Sequence, residues 1–244
     1  MASPHCAQCE TPLDTPYIPK VNTEFYEPGD ICSVLDTTST PVYLLLTGNP
    51  PPSQSVPENL SWGTRSFARW SRSQRSMSDS VNSEGGQPKL NPRPALMFGR
   101  AKIVPEGQPE VVTLCLMATF HKTKSHTRLP RVLQHFCIPI APHPQAIPGC
   151  THVHTLPEWQ AEGTWLIAMP YEVDTSKIKG RWTDLRQADD IGASFKIPTK
   201  ERQRIASICQ NRYTSWIDLC ERDHGLAERS LEEYKASEVA PERF

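Results

Sequence analysis

Leu114-Cys115-Leu116-Met117-Ala118-Thr119-Phe120-His121-Lys122 is an apolar strand pattern in which Thr119 is the first polar side chain. A second stretch, Asn91-Pro92-Arg93-Pro94-Ala95-Leu96-Met97-Phe98, has the same character and opens its strand with Arg93. Short apolar runs bounded by polar residues predict buried strands. A guanidinium facing a hydroxyl, with more basic residues just beyond, suits a phosphodiester.

Size and composition limit what can surround these two strands. The chain has 244 residues, of which 37% are hydrophobic and 24 are proline, and its formal net charge is −1. This length allows one sizeable core, and the composition predicts an ordered domain with long loops. Because the net charge is close to zero, any attraction to nucleic acid must come from local patches.

The sequence also bears on the compartment of the protein. No apolar run reaches the length of a membrane span, and residues 1–14 lack the apolar stretch of a signal peptide. We therefore expect an intracellular protein, cytoplasmic or nuclear, with reduced thiols rather than a disulfide framework. The apolar sequence context predicts a role as core fillers for four cysteines: Cys32, Cys115, Cys137 and Cys209.

Further strands are predicted on both sides of the two opening stretches. The turn Pro28-Gly29-Asp30 precedes the first of them. The apolar patterns predict strands at 31–35, 42–46, 95–103, 111–120, 134–140 and 164–169. Residues 171–183 are interpreted as a connector containing Lys177, Lys179 and Arg181.

A long segment interrupts this series of strands. Residues 48–90 open with Pro50-Pro51-Pro52 and are rich in Ser, Arg, Gln and Gly, which predicts a disordered insertion. Arginines and aromatic residues alternate within residues 62–75, so this part could hold single-stranded RNA. A regulated linker is the alternative interpretation.

The C-terminal part predicts one amphipathic helix. It begins at Pro198-Thr199-Lys200-Glu201, and its apolar residues follow at i, i+3, i+4 spacing: Ile205, Ile208, Cys209, Tyr213, Trp216, Ile217 and Cys220. The charged residues after Glu221 extend this helix to about Tyr234 in our prediction. The order of strands, basic connector and helix predicts a small, strongly bent sheet or barrel, mainly β, with a C-terminal helix.

In this order of motifs the chain resembles the PemK/MazF group of toxin-type endoribonucleases, which share an SH3-like small β-barrel. The matching residues are Pro28-Gly29-Asp30-Ile31, Arg93-Pro94-Ala95-Leu96, Leu114 to Thr119, and the helix from Pro198. The resemblance implies a barrel domain over 24–220 that contains the insertion at 48–90. Residues 1–23 then form an irregular N-terminal segment, and 221–244 form a charged tail. The family's RNA-gripping loop is replaced here by the insertion.

The resemblance implies metal-independent cleavage of single-stranded RNA, with no cofactor. In that reaction the 2′-hydroxyl attacks the adjacent phosphorus and leaves a 2′,3′-cyclic phosphate and a 5′-hydroxyl. Arg93 matches the family's catalytic arginine and Thr119 its catalytic threonine. The resemblance also implies a homodimer with RNA near its interface, and an inhibitory protein partner. The alternatives are an inactive relative that binds RNA or protein, and an unrelated peptide-binding barrel.

Two further sets of residues are candidates near this pair. Residues 119 and 121 share one face if the strand continues, so His121 is a candidate general acid or base. A surface histidine just past the strand end is the alternative. The basic residues beyond it are predicted to contact RNA phosphates, although a solvated loop would look the same: Lys122, Lys124, His126, Arg128 and Arg131.

Metal binding has weak support in the sequence. His5, Cys6 and Cys9 supply half of a zinc-site pattern, and no second pair follows at ribbon spacing. His152 and His154 form a second weak candidate, for which a flexible polar loop is the alternative. Accordingly, no metal is assigned.

Overall fold

A computed structural model describes residues 26–50, 92–99, 110–120, 125–143, 152–159, 161–183 and 194–237. Within these ranges the chain is a mixed α/β fold with seven strands and four α-helices. The strands are β1 (Ile31–Val34), β2 (Arg93–Met97), β3 (Val111–Ala118), β4 (Cys137–Pro139), β5 (Trp165–Ile167), β6 (Tyr171–Asp174) and β7 (Ile178–Arg181). The helices are α1 (Ser39–Thr47), α2 (Arg131–Phe136), α3 (Thr199–Arg222) and α4 (Leu226–Ala236).

The seven strands form one sheet, in which six follow the order β4-β5-β3-β2-β1-β7 and β6 pairs with β3 beside this path. Every strand pair is antiparallel. β3 is long enough to pair with β6 through its first half and with β5 through Met117 and Ala118. Among the described residues the strand pairs do not close the sheet into a ring. Single bridges extend it, from Asp30 to Lys196, from Lys196 to Leu156 and from Val153 to Ile140.

The sheet separates two hydrophobic cores because alternate residues of each strand point to opposite faces. Along β3, Leu114, Leu116 and Ala118 belong to one core, and Cys115 and Met117 belong to the other. The first core also holds buried residues of all four helices, and we call that side the helix-covered face. The opposite face packs on the N-terminal half of α3 through Ile205 and Cys209.

Several sequence predictions are confirmed by this architecture. Strands lie within the predicted ranges 31–35, 111–120 and 164–169, and the helix at Pro198-Thr199 begins where the sequence places it. The predicted strand 95–103 is confirmed only for residues 95–97, because β2 begins two residues earlier, at Arg93, and ends at Met97. The turn at Pro28-Gly29 precedes β1. The four cysteines assigned to the core are buried free thiols.

Other predictions are wrong. The predicted strand 42–46 lies inside helix α1, and 134–140 is divided between the end of α2 and β4. The predicted connector 171–183 contains β6 and β7. The C-terminal helix is not continuous to Tyr234, because α3 ends at Arg222 and α4 starts after Gly225.

Two remaining predictions concern the loop-rich segments of the chain and the absence of a membrane span. The predicted N-terminal segment 1–23 and most of the insertion 48–90 lie outside the described residues. Among the described helices, none combines the length and the apolar character that a bilayer crossing needs.

Candidate functional site

Arg93 is the first residue of β2 and pairs with Val34 of β1. Ala95 and Met97, two and four residues further on, are buried in the core of the helix-covered face. By strand alternation the Arg93 side chain leaves the sheet on this same face. It is half-buried there, so its guanidinium lies at the margin of the core rather than in open solvent.

A row of residues crosses the sheet at the level of Arg93. Ala95 pairs with Leu116, and two residues further along this register Arg93 stands opposite Ala118. Ala118 in turn pairs with Trp165 of β5. Since neighbouring strands lie about 4.8 Å apart, we expect the backbones of Arg93 and Trp165 to be about 10 Å apart, with Ala118 on the strand between them.

Thr119 directly follows β3 and is half-buried. It has the alternation of Cys115 and Met117, which belong to the opposite face, whereas Ala118 belongs to the helix-covered face. The backbone then turns sharply, because Phe120 has a φ of 43° and returns to the helix-covered core. Continued by one residue, the alternation of β3 assigns the Thr119 side chain to the face opposite Arg93, and the joint action of the two residues stays a prediction.

The other predicted site residues have different positions. His121, Lys122 and Lys124 lie outside the described residues. His126 and Arg128 lie in a short 3-10 turn, and Arg131 begins α2. Arg128 and Arg131 are exposed, as residues that contact a phosphate backbone need to be.

His126 lies beside the row of residues that contains Arg93. Its Nε2 is 2.6 Å from the carbonyl oxygen of Gln134, and its ring centroid is 5.8 Å from that of Trp165. Burial lowers the pKa of His126, and the nearby charge of Arg212 acts in the same direction. His126 is therefore a partly buried histidine that favours the neutral form, and its ring is more enclosed than a phosphate-binding surface residue.

Asp36 is a buried carboxylate near Arg93 that the sequence analysis did not single out. Its side chain is 1% exposed and accepts hydrogen bonds from the Thr37 N–H (2.8 Å), the Thr40 hydroxyl (2.5 Å) and the Tyr171 hydroxyl (3.1 Å). The Lys177 ammonium lies 3.5 Å from the same carboxylate. Buried carboxylates need such a set of donors. Here Thr37 and Thr40 are close in sequence, whereas Tyr171 and Lys177 are distant.

The Arg93 guanidinium, unlike the Asp36 carboxylate, is not surrounded by hydrogen-bonding partners among the described residues. Burial lowers the pKa of Arg93, while the nearby Tyr234 and Asp36 act in the opposite direction. Within the described ranges its guanidinium has no hydrogen bond or ion pair, and Asp36 is already bonded to Lys177. Two cations thus share one carboxylate, which leaves a partly desolvated guanidinium with donors for an anion.

Tyr234 of α4 covers this region from the helix side. Its side chain is 1% exposed, its hydroxyl lies 3.0 Å from the Ser39 hydroxyl, and its ring packs edge-on against Tyr43 at 6.4 Å. Ser39 and Tyr43 belong to α1, so α1 and α4 meet beside Arg93. The sequence carried no local signal for this contact, because 195 residues separate the two hydroxyls.

The two weak metal candidates have different outcomes. His5, Cys6 and Cys9 lie outside the described residues. His152 and His154 have ring centroids 4.8 Å apart and pack beside the Glu201–Arg204 ion pair. Over the described part of the chain, no group of three or more His, Cys, Asp or Glu side chains could hold a metal ion.

Comparison with known proteins adds no assignment. No family model matches the chain, and neither a curated protein nor a solved structure matches it.

Proposed function

We propose that the protein is an endoribonuclease that cleaves single-stranded RNA without a metal ion, and that Arg93 binds the scissile phosphate. The observation that carries this proposal is the half-buried guanidinium of Arg93, which has no anionic partner of its own among the described residues. A guanidinium held in a partly desolvated position binds a phosphate more strongly than one in water.

The chemistry requires two proton transfers and charge stabilisation. The 2′-oxygen forms a bond to phosphorus as its proton leaves, and the bond from phosphorus to the 5′-oxygen breaks as that oxygen gains a proton. Negative charge grows on the non-bridging oxygens, where Arg93 donates two hydrogen bonds. In this proposal Thr119 donates a third hydrogen bond from just beyond the end of β3, where the strand alternation no longer fixes the direction of its side chain, and it orients the phosphate. His121 is the proposed general acid or base.

The sheet offers support for the small barrel that the family resemblance implies. The bridges Asp30–Lys196, Lys196–Leu156 and Val153–Ile140 connect the start of β1 to the end of β4. Those two positions lie toward opposite edges of the strand order, as expected for a sheet that curves toward a barrel. We propose an SH3-like barrel on this basis, and a homodimer, an inhibitory protein partner and a cytoplasmic or nuclear location from the resemblance.

A second candidate function is an inactive relative that binds RNA or protein. The alternation of β3 favours it, because Thr119 has the parity of the opposite face while Arg93 points to the helix-covered face. In this alternative Arg93 still binds a phosphate, but no hydroxyl helps to orient it.

A cleavage assay with Arg93→Ala tests the proposal. Mixed-sequence RNA is incubated with the protein in the presence of a chelator, and the new ends are mapped. We expect cyclic phosphate and 5′-hydroxyl ends from the unchanged protein, and a loss of at least about 10²-fold in rate for the variant, as for other removed transition-state donors. Arg222→Ala is the matched control, because Arg222 is an exposed arginine in the last turn of α3.

The same assay separates the two candidate functions. RNA that binds and remains intact, with binding weakened by Arg93→Ala, would establish the inactive relative. Cleavage that Arg93→Ala leaves unchanged would contradict both the assignment of Arg93 and the proposed mechanism.

A further inference from the structure

Helix α4 packs on the side of the sheet to which Arg93 belongs. Tyr234 is buried in the core of the helix-covered face together with Val34, Ala95 and Met97, the strand residues that surround Arg93. Its hydroxyl is bonded to Ser39 at the start of α1. One side chain of α4 therefore fills the space between Arg93 and the N-terminal end of α1.

Glu233, the residue before Tyr234, contacts one of the basic residues that are predicted to bind RNA. The Glu233 carboxylate accepts a hydrogen bond from the Arg131 backbone N–H at 3.1 Å. Arg131 is one of the residues predicted to bind RNA phosphates. The carboxylate thus places a negative charge at that surface, which repels a phosphate backbone.

The docked position of α4 also carries an energetic cost. Its buried side chains are Ala227, Ser230 and Tyr234. The Ser230 hydroxyl is buried and finds no hydrogen-bond partner among the described residues, which is an energetic cost of the docked position. α4 follows a three-residue break at Asp223, His224 and Gly225, so it can leave without unfolding α3.

We propose that α4 is a lid that is docked over Arg93 through Tyr234 and Glu233, and that RNA reaches Arg93 only when this helix undocks. The inference rests on the proposed function for the identity of the ligand. Its own content is a competition within one chain: the docked helix and a phosphodiester cannot occupy the surroundings of Arg93 together.

Two substitutions move this equilibrium in opposite directions. Glu233→Gln removes the charge that holds α4 to α2, and we expect an undocked fraction about two- to fivefold larger. Ser230→Ala removes the unpartnered hydroxyl, and we expect an undocked fraction at least about fivefold smaller. Glu228→Gln is the matched control, because it makes the same charge change at an exposed position of α4.

The readout is the rate at which phenylglyoxal modifies Arg93 in the full chain, followed by peptide mass mapping, with the exposed Arg222 as internal reference. We expect faster modification in Glu233→Gln, slower modification in Ser230→Ala and no change in Glu228→Gln. Equal rates in all variants, or changes in the reverse order, would overturn the lid.

RNA cleavage by the same variants separates the two proposals. If modification follows the expected order and cleavage follows it too, both the lid and the endoribonuclease are supported. If modification follows the order and no variant cleaves RNA, the lid stands and the endoribonuclease fails. If cleavage depends on Arg93 but neither readout responds to residues 230 and 233, the lid fails and the endoribonuclease stands.

Discussion

The Asp30–Arg181 ion pair ties the start of β1 to the end of β7. Both side chains are only 6% exposed, and Asp30 also accepts a hydrogen bond from the Glu27 N–H at 2.8 Å. The Arg181 guanidinium lies over the ring of Tyr26, 5.6 Å from its centroid. Removing one member of a buried pair leaves the other charge desolvated, and this costs more than the pair contributes when intact.

We therefore expect Asp30→Ala to lower the free energy of unfolding by about 3–5 kcal/mol, as measured by urea denaturation. Asp223→Ala is the matched control, because its pair with Arg229 is 48% and 59% exposed and should contribute about 1 kcal/mol or less. Equal losses for the two variants would show that burial of the Asp30 pair does not determine its contribution.

Single residues differed in how far the sequence could identify them. Arg93 could be identified from the sequence because a local pattern, a strand that opens with Arg-Pro, marks it. Asp36 was not, since its partners Tyr171 and Lys177 are 135 and 141 residues away. The network around this buried carboxylate is completed by tertiary contacts, and these have no signature in the residues beside it.

At the scale of elements, α1 shows why an apolar run misled the prediction. Val42 to Leu46 is consistent with either a buried strand or a buried helix segment, because periodicity alone does not separate the two. The helix is fixed by what flanks the run: Pro41 lies in its first turn, and Gly48 ends it with a φ of 74°. Its N–H donates to the carbonyl of Leu44, which is a helix C-cap.

The turn before β1 joins three elements through one glycine. The Gly29 N–H donates to the Met97 carbonyl at the end of β2 (2.8 Å), and its carbonyl accepts from the Ile197 N–H (2.7 Å). Its φ is 104°, and a Cβ at this position would lie 2.8 Å from the Ile197 carbonyl oxygen. A side chain there is both strained and obstructed by backbone.

We expect Gly29→Ala to reduce the free energy of unfolding by more than the strain of about 1–3 kcal/mol for such a backbone conformation. Gly48→Ala is the matched control, with a φ of 74° and no atom within 4 Å of the added Cβ. The difference between the two, measured by thermal or urea unfolding, isolates the close approach to Ile197. A loss no larger than that of Gly48→Ala would mean that residues 194–197 move away freely from β1.

At the scale of the whole molecule, the amphipathic stripe of α3 was the strongest long-range prediction. A helix of 24 residues is about 36 Å long, so one stripe can serve both cores. Ile205 and Cys209 pack on the opposite face of the sheet, and Trp216 and Cys220 pack in the core of the helix-covered face. The division into two cores, and the return of α4 onto α1, depend on pairings between distant residues that no local window contains.

Four partly buried histidines give the whole molecule a predicted pH dependence. Burial is the first cause that lowers the pKa of each of them: His126, His135, His152 and His154. A lowered pKa means that, at pH values just below the ordinary histidine pKa of about 6.5, the unfolded chain binds more protons than the folded chain. The stability that the neutral rings contribute is therefore complete above about pH 6.5 and is lost as the pH falls.

We expect the free energy of unfolding, measured by urea denaturation, to decrease between pH 7.5 and pH 5, by at most about 1.4 kcal/mol per pH unit for each histidine. His135→Gln should flatten this slope, because His135 Nε2 lies 2.8 Å from the Arg212 carbonyl and its ring packs on Phe136 and Trp216. Replacement of the exposed His224 by Gln is the control for the loss of one imidazole at the surface. Stability that rises toward pH 5 would contradict the sign, because it would require the folded state to bind the extra protons.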